Sequence, residues 1–166
     1  MSTFSSIVAV SQNHVIGLNG DMPWDKMRSD LKFFKDKTMG KWCILGRKSY
    51  NALGNKVLPG RKFIVVTRDK DFKAEDSFVV HDIKDAINHD ELKNEEEVMI
   101  LGGGEIFKLA RPYTHRIYLT RIHAAFEGDT FFPEPDTSEW ILTAAEHNEA
   151  DDKNPHTYTF LVYDRK

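Results

Sequence analysis

Five short apolar runs, at residues 6–10, 42–45, 62–67, 78–80 and 98–101, recur up to Leu101 with amphipathic segments between them. Each run is continuous rather than alternating and is bounded by polar or glycine residues, which is the pattern of strands buried on both faces. Strands of that kind need helices on either side of their sheet, so the chain reads as an α/β fold. Helices fall in the intervals: one around Met27 to Phe34, one after Gly46, one at about 82–89 with Asp82 and Asp85 suited to its first turn, and one at about 103–110. From Arg116 the pattern changes, and 116–122, 140–146 and 157–164 read as longer strands with no helix between them. The expectation is a central, mostly parallel mixed sheet of about eight strands with an antiparallel C-terminal edge, flanked by about four helices.

The 166 residues suit a single domain, 1–166, long enough to bury a sizeable core. A net charge of -3 gives no pull toward nucleic acid or anionic membrane, and no stretch approaches the roughly 18 apolar residues of a membrane span. The one cysteine, Cys43, has no internal disulfide partner and sits in the apolar run Trp42-Cys43-Ile44-Leu45, where a buried, inert thiol is expected. Residues 1–10 lack the basic start and long apolar core of an export signal, so a reducing cytoplasmic setting is expected. Residues 95–97, all glutamate, read as a solvated loop before a strand, and His14, His123 and His156 as surface residues. No cluster has metal-site spacing, and no metal is expected.

Asp30 stands out chemically. At helical spacing Met27, Leu31 and Phe34 form one stripe, and Asp30 lies three residues after the first and four before the last. A carboxylate on an apolar face is either solvated at its rim or buried and in need of a partner; periodicity leaves both readings open.

Three glycine-centred spots follow apolar runs. In Leu101-Gly102-Gly103-Gly104-Glu105-Ile106-Phe107 a strand runs into consecutive glycines and then a helix, a geometry suited to seating a diphosphate on free amides. Tight strand-to-helix packing alone would use the same glycines. The string is not the Rossmann fingerprint, because its third glycine position is Phe107 and no acidic residue follows at the required distance. Gly46-Arg47-Lys48-Ser49 places two cations at a helix start, where the macrodipole disfavours them, so an anion is the expected missing partner. Leu58-Pro59-Gly60-Arg61 launches the strand that ends at Thr67-Arg68. Arg61 and Arg68 are each readable as surface residues, yet together the cations suit a ligand with several anionic groups.

These residues, with Ile7-Val8-Ala9, Val15-Ile16-Gly17, Met22-Pro23-Trp24 and Glu127-Gly128-Asp129-Thr130, occur in an order and spacing that resembles dihydrofolate reductase of the bacterial chromosomal type, over nearly the whole length. The resemblance implies reduction of 7,8-dihydrofolate to tetrahydrofolate, in support of one-carbon and thymidylate metabolism, with NADPH giving a hydride to C6 of the pterin and N5 taking a proton. It implies that Asp30 grips the 2-amino group and N3 of the pterin, supported by Thr120, and that Met22 and Trp24 belong to the catalytic loop. Ile7, Val8, Leu31, Phe34, Leu53 and Leu101 match positions around the substrate, and Arg61 matches the arginine for the α-carboxylate of its glutamate tail.

For the cofactor, the resemblance assigns Ala9, Ile16 and Gly17 to the nicotinamide end. Gly46, Lys48, Ser49, Val66, Leu101, Gly102, Gly103, Gly104, Glu105, Ile106 and Phe107 match positions along the dinucleotide, while Arg47, Thr67 and Arg68 match those holding the 2'-phosphate. Residues 11–26 match a closing lid, and Asp129 the carboxylate that accepts hydrogen bonds from the lid backbone. Departures are Glu105, where a neutral or cationic residue is common, Phe107 in place of tyrosine, and Pro155 near a position where some relatives use a serine to hold an alternative lid pose. The proline implies a weaker occluded lid. The expected partners are dihydrofolate and folate analogues, with no nucleic acid and no membrane, and the expected state is a monomer. A pyrimidine reductase of riboflavin synthesis and a non-catalytic nucleotide-binding module are the alternatives; Asp30 with Arg61 argues against the first, and Asp30 on an apolar face against the second.

Overall fold

The computed structural model describes residues 2–166. Ten strands form in chain order: β1 (Thr3–Ser11), β2 (Val15–Gly17), β3 (Trp42–Gly46), β4 (Lys62–Val66), β5 (Phe78–Val80), β6 (Glu97–Gly102), β7 (Arg116–Ile122), β8 (Thr130–Phe131), β9 (Trp140–Asn148) and β10 (Tyr158–Arg165). Four α-helices lie among them: α1 (Arg28–Thr38), α2 (Arg47–Ala52), α3 (Ile83–Ile87) and α4 (Gly104–Ala110). The main sheet has eight strands in the order β5-β4-β3-β6-β1-β7-β10-β9. The eight-stranded mixed sheet with its antiparallel C-terminal edge is the one read from the sequence.

The chain divides into two compact units, Met1–Ser6 with Thr38–Thr114 and Ile7–Lys37 with His115–Lys166. In the first, β3 pairs in parallel with β4 and β6, β4 with β5, and the start of β1 with β6. Cys43, Ile44, Leu45, Ile64, Val65, Val98, Met99 and Ile100 are fully buried, which is why these strands read as unbroken apolar runs. Burial pushes the Cys43 thiol up to about 12, against the opposing charges of Arg61 and Lys41, so it is inert as a nucleophile at neutral pH. Asp82 caps α3 by accepting from the Lys84 amide at 2.8 Å.

Glu97 does not belong to a solvated loop: it is the first residue of β6, half-buried, and accepts from Lys41 Nζ at 2.5 Å and Ser5 Oγ at 2.6 Å. Adjacent parallel strands start side by side at this point, and the pairing gathers side chains far apart in sequence.

In the second unit β10 pairs antiparallel with β7 and β9. The α1 helix packs through Phe33, stacked on Phe160 at 4.4 Å and edge-on to Tyr118 at 6.2 Å. Trp24, Met27, Ile122 and Tyr158 form a buried cluster beside it. The β2–β8 ribbon has no counterpart in the sequence reading, because segments of three and two residues are too short to carry a periodicity. It is held by close backbone approach: a Cβ at Gly128 would overlap Val15 Cγ1 and lie 2.7 Å from the Gly17 carbonyl.

Candidate active site

Within the second unit, Asp30 sits in the first turn of α1, where the helix dipole favours a negative charge. The start of that helix is capped from a distance: Asn154, buried and itself held by Asp151, accepts from the Ser29 amide at 2.9 Å and donates to Ser29 Oγ at 2.9 Å. Thr120, buried on β7, hydrogen-bonds the Asp30 carboxylate. Desolvation by burial raises the Asp30 pKa above the usual carboxylate range, and the Thr120 hydroxyl offsets only part of it. Such a group is poised either to pair with a cationic or donor-rich ligand edge or to hold a proton above the usual carboxylate range.

The packed stripe of α1 differs from the expected one. Asp30, Phe33, Phe34, Lys37 and Thr38 form the covered side, whereas Leu31 is 39% exposed and Met27 precedes the helix. Asp30 therefore does lie on the covered face, but beside Phe33 rather than Leu31. Leu31 and Met22, the latter 45% exposed, are among the large apolar side chains left open in this unit. Ile7 and Val8 on β1 are buried, and Ala9 and Ile16 are half-buried.

The segment leading to α1 is tied down at its middle. Asp129 Oδ2 accepts from the Asn19 amide at 3.0 Å, the Asp129 amide donates to the Gly17 carbonyl at 2.9 Å, and Met22 N donates to Asp21 Oδ1 at 2.7 Å. Trp24 leans on Phe126 with ring centroids 5.7 Å apart. Of the expected surface histidines, His14 and His123 are exposed, whereas His156 is half-buried, edge-on to Phe126.

In the first unit the glycines lie at strand-to-helix junctions. Gly46 ends β3 and precedes α2; a Cβ there would meet Ile106 Cγ1 at 3.0 Å. Gly102 has a φ of +99° and would place a Cβ 2.5 Å from Phe107 Cε2. The Gly102–Gly103 peptide is cis, and Gly104 begins α4. Ile106 and Phe107 are buried, so their side chains back the glycines rather than line an open surface. Leu53, Leu101, Ser49 and Thr67 are half-buried, Val66 is buried, and Lys48 is exposed.

The cations behave differently from the sequence expectation. Arg47 is not lacking a partner: its Nη1 donates to Asp69 Oδ2 at 2.8 Å and its guanidinium lies 4.6 Å over the Phe72 ring. Arg68 donates to Glu105 at 2.6 Å. Arg61 donates from Nη1 to Thr38 Oγ1 at 3.2 Å, while its Nε is buried with no hydrogen-bond partner among the described residues. A buried, unmatched guanidinium donor is costly and is what a ligand carboxylate satisfies. The donor set fits NADPH, since two arginines, the Ser49 and Thr67 hydroxyls and glycine backbone suit a polyanion. Asp69 and Asn154 were not singled out in the sequence. The turn-like strings 67–72 and 151–155 were the only signal, and neither shows which helix it reaches.

Among the described residues no group of three or more His, Cys, Asp or Glu is placed to hold a metal ion, and no helix is long and apolar enough to cross a membrane.

The chain matches the family model described as dihydrofolate reductase over residues 3–165. It is 42% identical to a dihydrofolate reductase of Staphylococcus haemolyticus, covering 97% of this chain and 95% of that protein. It is 41% identical to that of Bacillus subtilis, covering 98% and 94% respectively. Among solved structures it is similar to dihydrofolate reductase from Enterococcus faecalis complexed with NADP(H) and RAB-propyl, with a TM-score of 0.90 and 37% identity over 99% of this chain and 96% of that one.

Proposed function

The chain belongs to the dihydrofolate reductase family, and on that premise we propose how its residues divide the work. It is an NADPH-dependent oxidoreductase that reduces 7,8-dihydrofolate to 5,6,7,8-tetrahydrofolate. Bound NADPH supplies the hydride taken up at C6. Asp30 accepts from the 2-amino group and N3 of the pterin, a two-point contact that fixes which face of the ring is presented. Thr120 keeps the carboxylate oriented for that contact. Ile7, Val8, Leu31 and Phe34 are the apolar wall that excludes water around the ring, and Leu53 and Leu101 are further substrate residues.

Arg61 receives the α-carboxylate of the glutamate tail, matched to its buried, unpartnered Nε. Gly103 and Gly104 lie against the ribose and diphosphate, Ala9, Ile16 and Gly17 against the nicotinamide, and Arg47, Thr67 and Arg68 at the 2'-phosphate. Asp129 holds the lid through Asn19.

N5 receives its proton through water rather than from Asp30 directly, because Asp30 binds the opposite edge of the ring. The loop around Met22 and Trp24 admits that water, and the Asp30 charge sets the proton affinity of N5. The observation that most supports this reading is the desolvated carboxylate of Asp30 bonded to Thr120.

Loss of NADPH absorbance on adding dihydrofolate to protein and NADPH tests it. Turnover that is strong in the natural chain and nearly absent in Asp30→Asn is the expected result; equal turnover in the two removes Asp30 from its role. A riboflavin-pathway pyrimidine substrate and a purely binding module predict no dihydrofolate-dependent loss. We carry the single catalytic domain, monomeric state and cytoplasmic location as parts of the same proposal, supported by the family match over residues 3–165. Light scattering and cell fractionation check the last two.

A further inference from the structure

We propose that Asp69 is a specificity-determining carboxylate: it competes with the cofactor's 2'-phosphate for Arg47, and so holds this chain's preference for NADPH over NADH below what its arginines alone allow. This rests on the assignment of Arg47 to the 2'-phosphate.

The Arg47–Asp69 pair is built by the fold. The turn after β4 starts where the Thr67 amide donates to the Val80 carbonyl at 3.0 Å. Asp69 is then fixed within the turn: its amide donates to Thr67 Oγ1 at 3.2 Å, its Oδ1 accepts from the Asp71 amide at 3.0 Å, and its carbonyl accepts from the Phe72 amide at 3.2 Å. With Oδ1 engaged in the turn, Oδ2 is the oxygen aimed at Arg47. Phe72 supports the flat face of the same guanidinium at 4.6 Å. Burial separates this pair from its neighbour. Arg47 and Asp69 side chains are 43% and 44% exposed, whereas Arg68 and Glu105 are 84% and 62% exposed, so Asp69 is the less screened of the two carboxylates.

The electrostatic consequence is selective. A phosphate monoester carries roughly two negative charges at neutral pH, and its favoured contact with arginine is a two-pronged one. Asp69 already takes one N–H of Arg47 and leaves a fixed negative charge beside the remaining donors. A 2'-phosphate must displace that carboxylate or share the arginine with it. A dinucleotide ending in a 2'-hydroxyl meets neither obstacle, so the carboxylate weakens only the phosphorylated cofactor.

Direct binding, measured by isothermal titration calorimetry on the full chain without folate, tests this with NADPH and NADH. Asp69→Asn keeps an oxygen for the Asp71 amide and removes the charge; Asp69→Ser is the second variant should the first fold poorly. The expected result is NADPH bound about 3- to 10-fold more tightly at low salt, with NADH changed by less than about two-fold, and a gain that shrinks in about 0.5 M salt. In an Arg47→Ala background the gain is absent. Unchanged or weaker NADPH binding, or an equal gain for NADH, overturns the proposal. If Arg47→Ala collapses the NADPH preference while Asp69→Asn does not raise it, the competition alone is wrong. If Arg47→Ala leaves the preference intact, the 2'-phosphate assignment fails and this inference with it.

Discussion

The hydroxyl of Thr120, buried on β7, hydrogen-bonds the carboxylate of Asp30 in the first turn of α1. The two groups come from elements ninety residues apart in sequence. One neutral hydroxyl stabilises the charged carboxylate but does not replace the water lost on burial, and the pKa of Asp30 remains raised. The site is therefore under-satisfied in the direction that a donor-rich pterin edge corrects.

On the proposed role of Asp30, replacing that charge removes the pterin anchor while preserving shape. Asp30→Asn should lower turnover of dihydrofolate at neutral pH by about 100-fold or more. The pH profile of the natural chain should contain a transition above the usual carboxylate range, and the variant should lack it. Steady-state rates across pH, measured on both proteins, check the two statements together.

The same substitution should stabilise the fold. Asp30 has a folded-state pKa above its unfolded value, so between the two the folded state binds more protons and stability falls as pH rises. The penalty is absent well below the ordinary carboxylate range and fully present above the raised value. Asp30→Asn should therefore gain stability at a pH above the raised value and little in acid, where Asp30 is already neutral. Urea unfolding at the two pH values measures this; an equal gain at both contradicts it.

At the cofactor end, Arg47→Ala should cost NADPH on the order of 1.5–3 kcal/mol of binding and NADH far less, as expected for one lost charge-assisted contact to phosphate. The ratio of the two dissociation constants is the measurement. A ratio equal to that of the natural chain removes Arg47 from the 2'-phosphate.

Asp129 links the segment before α1, the proposed lid, to the β2–β8 ribbon through the Asn19 amide at 3.0 Å. Asp129→Ala should loosen the lid by about 1 kcal/mol, slow hydride transfer roughly tenfold or less, and leave the unfolding midpoint nearly unchanged. Single-turnover kinetics with loop NMR resolve this. A large loss of global stability with unchanged hydride transfer points instead to a structural role.

Gly102 tolerates no side chain. At a φ of +99°, and with Phe107 Cε2 at 2.5 Å from the site of a Cβ, Gly102→Ala combines backbone strain with overpacking in a buried position. The cost should be about 2–4 kcal/mol. A differential unfolding experiment shows it, with NADPH affinity falling alongside stability.

Much of the architecture was legible because burial writes itself locally. The strands at 78–80 and 116–122 fall where the apolar runs place them, and the glycines after β3 and β6 sit at strand-to-helix junctions as read. Asp30 was visible as an anomaly because helical spacing alone puts a carboxylate among apolar side chains. Spacing did not tell Leu31 from Phe33: both are apolar, and only the position of Phe160 and Tyr118 decides which one is covered.

The pairings were decided by tertiary structure alone. Asp69 on Arg47, Glu105 on Arg68, Asn154 on Ser29 and Lys41 on Glu97 join residues 22 to 125 positions apart. No local periodicity specifies which distant partner a charge will meet; chain closure and sheet order do. The amino-acid sequence by itself determined which segments bury and where a costly carboxylate lies. The folded chain decided which charges are already spent on one another, because that depends on distances set by packing rather than by spacing along the backbone.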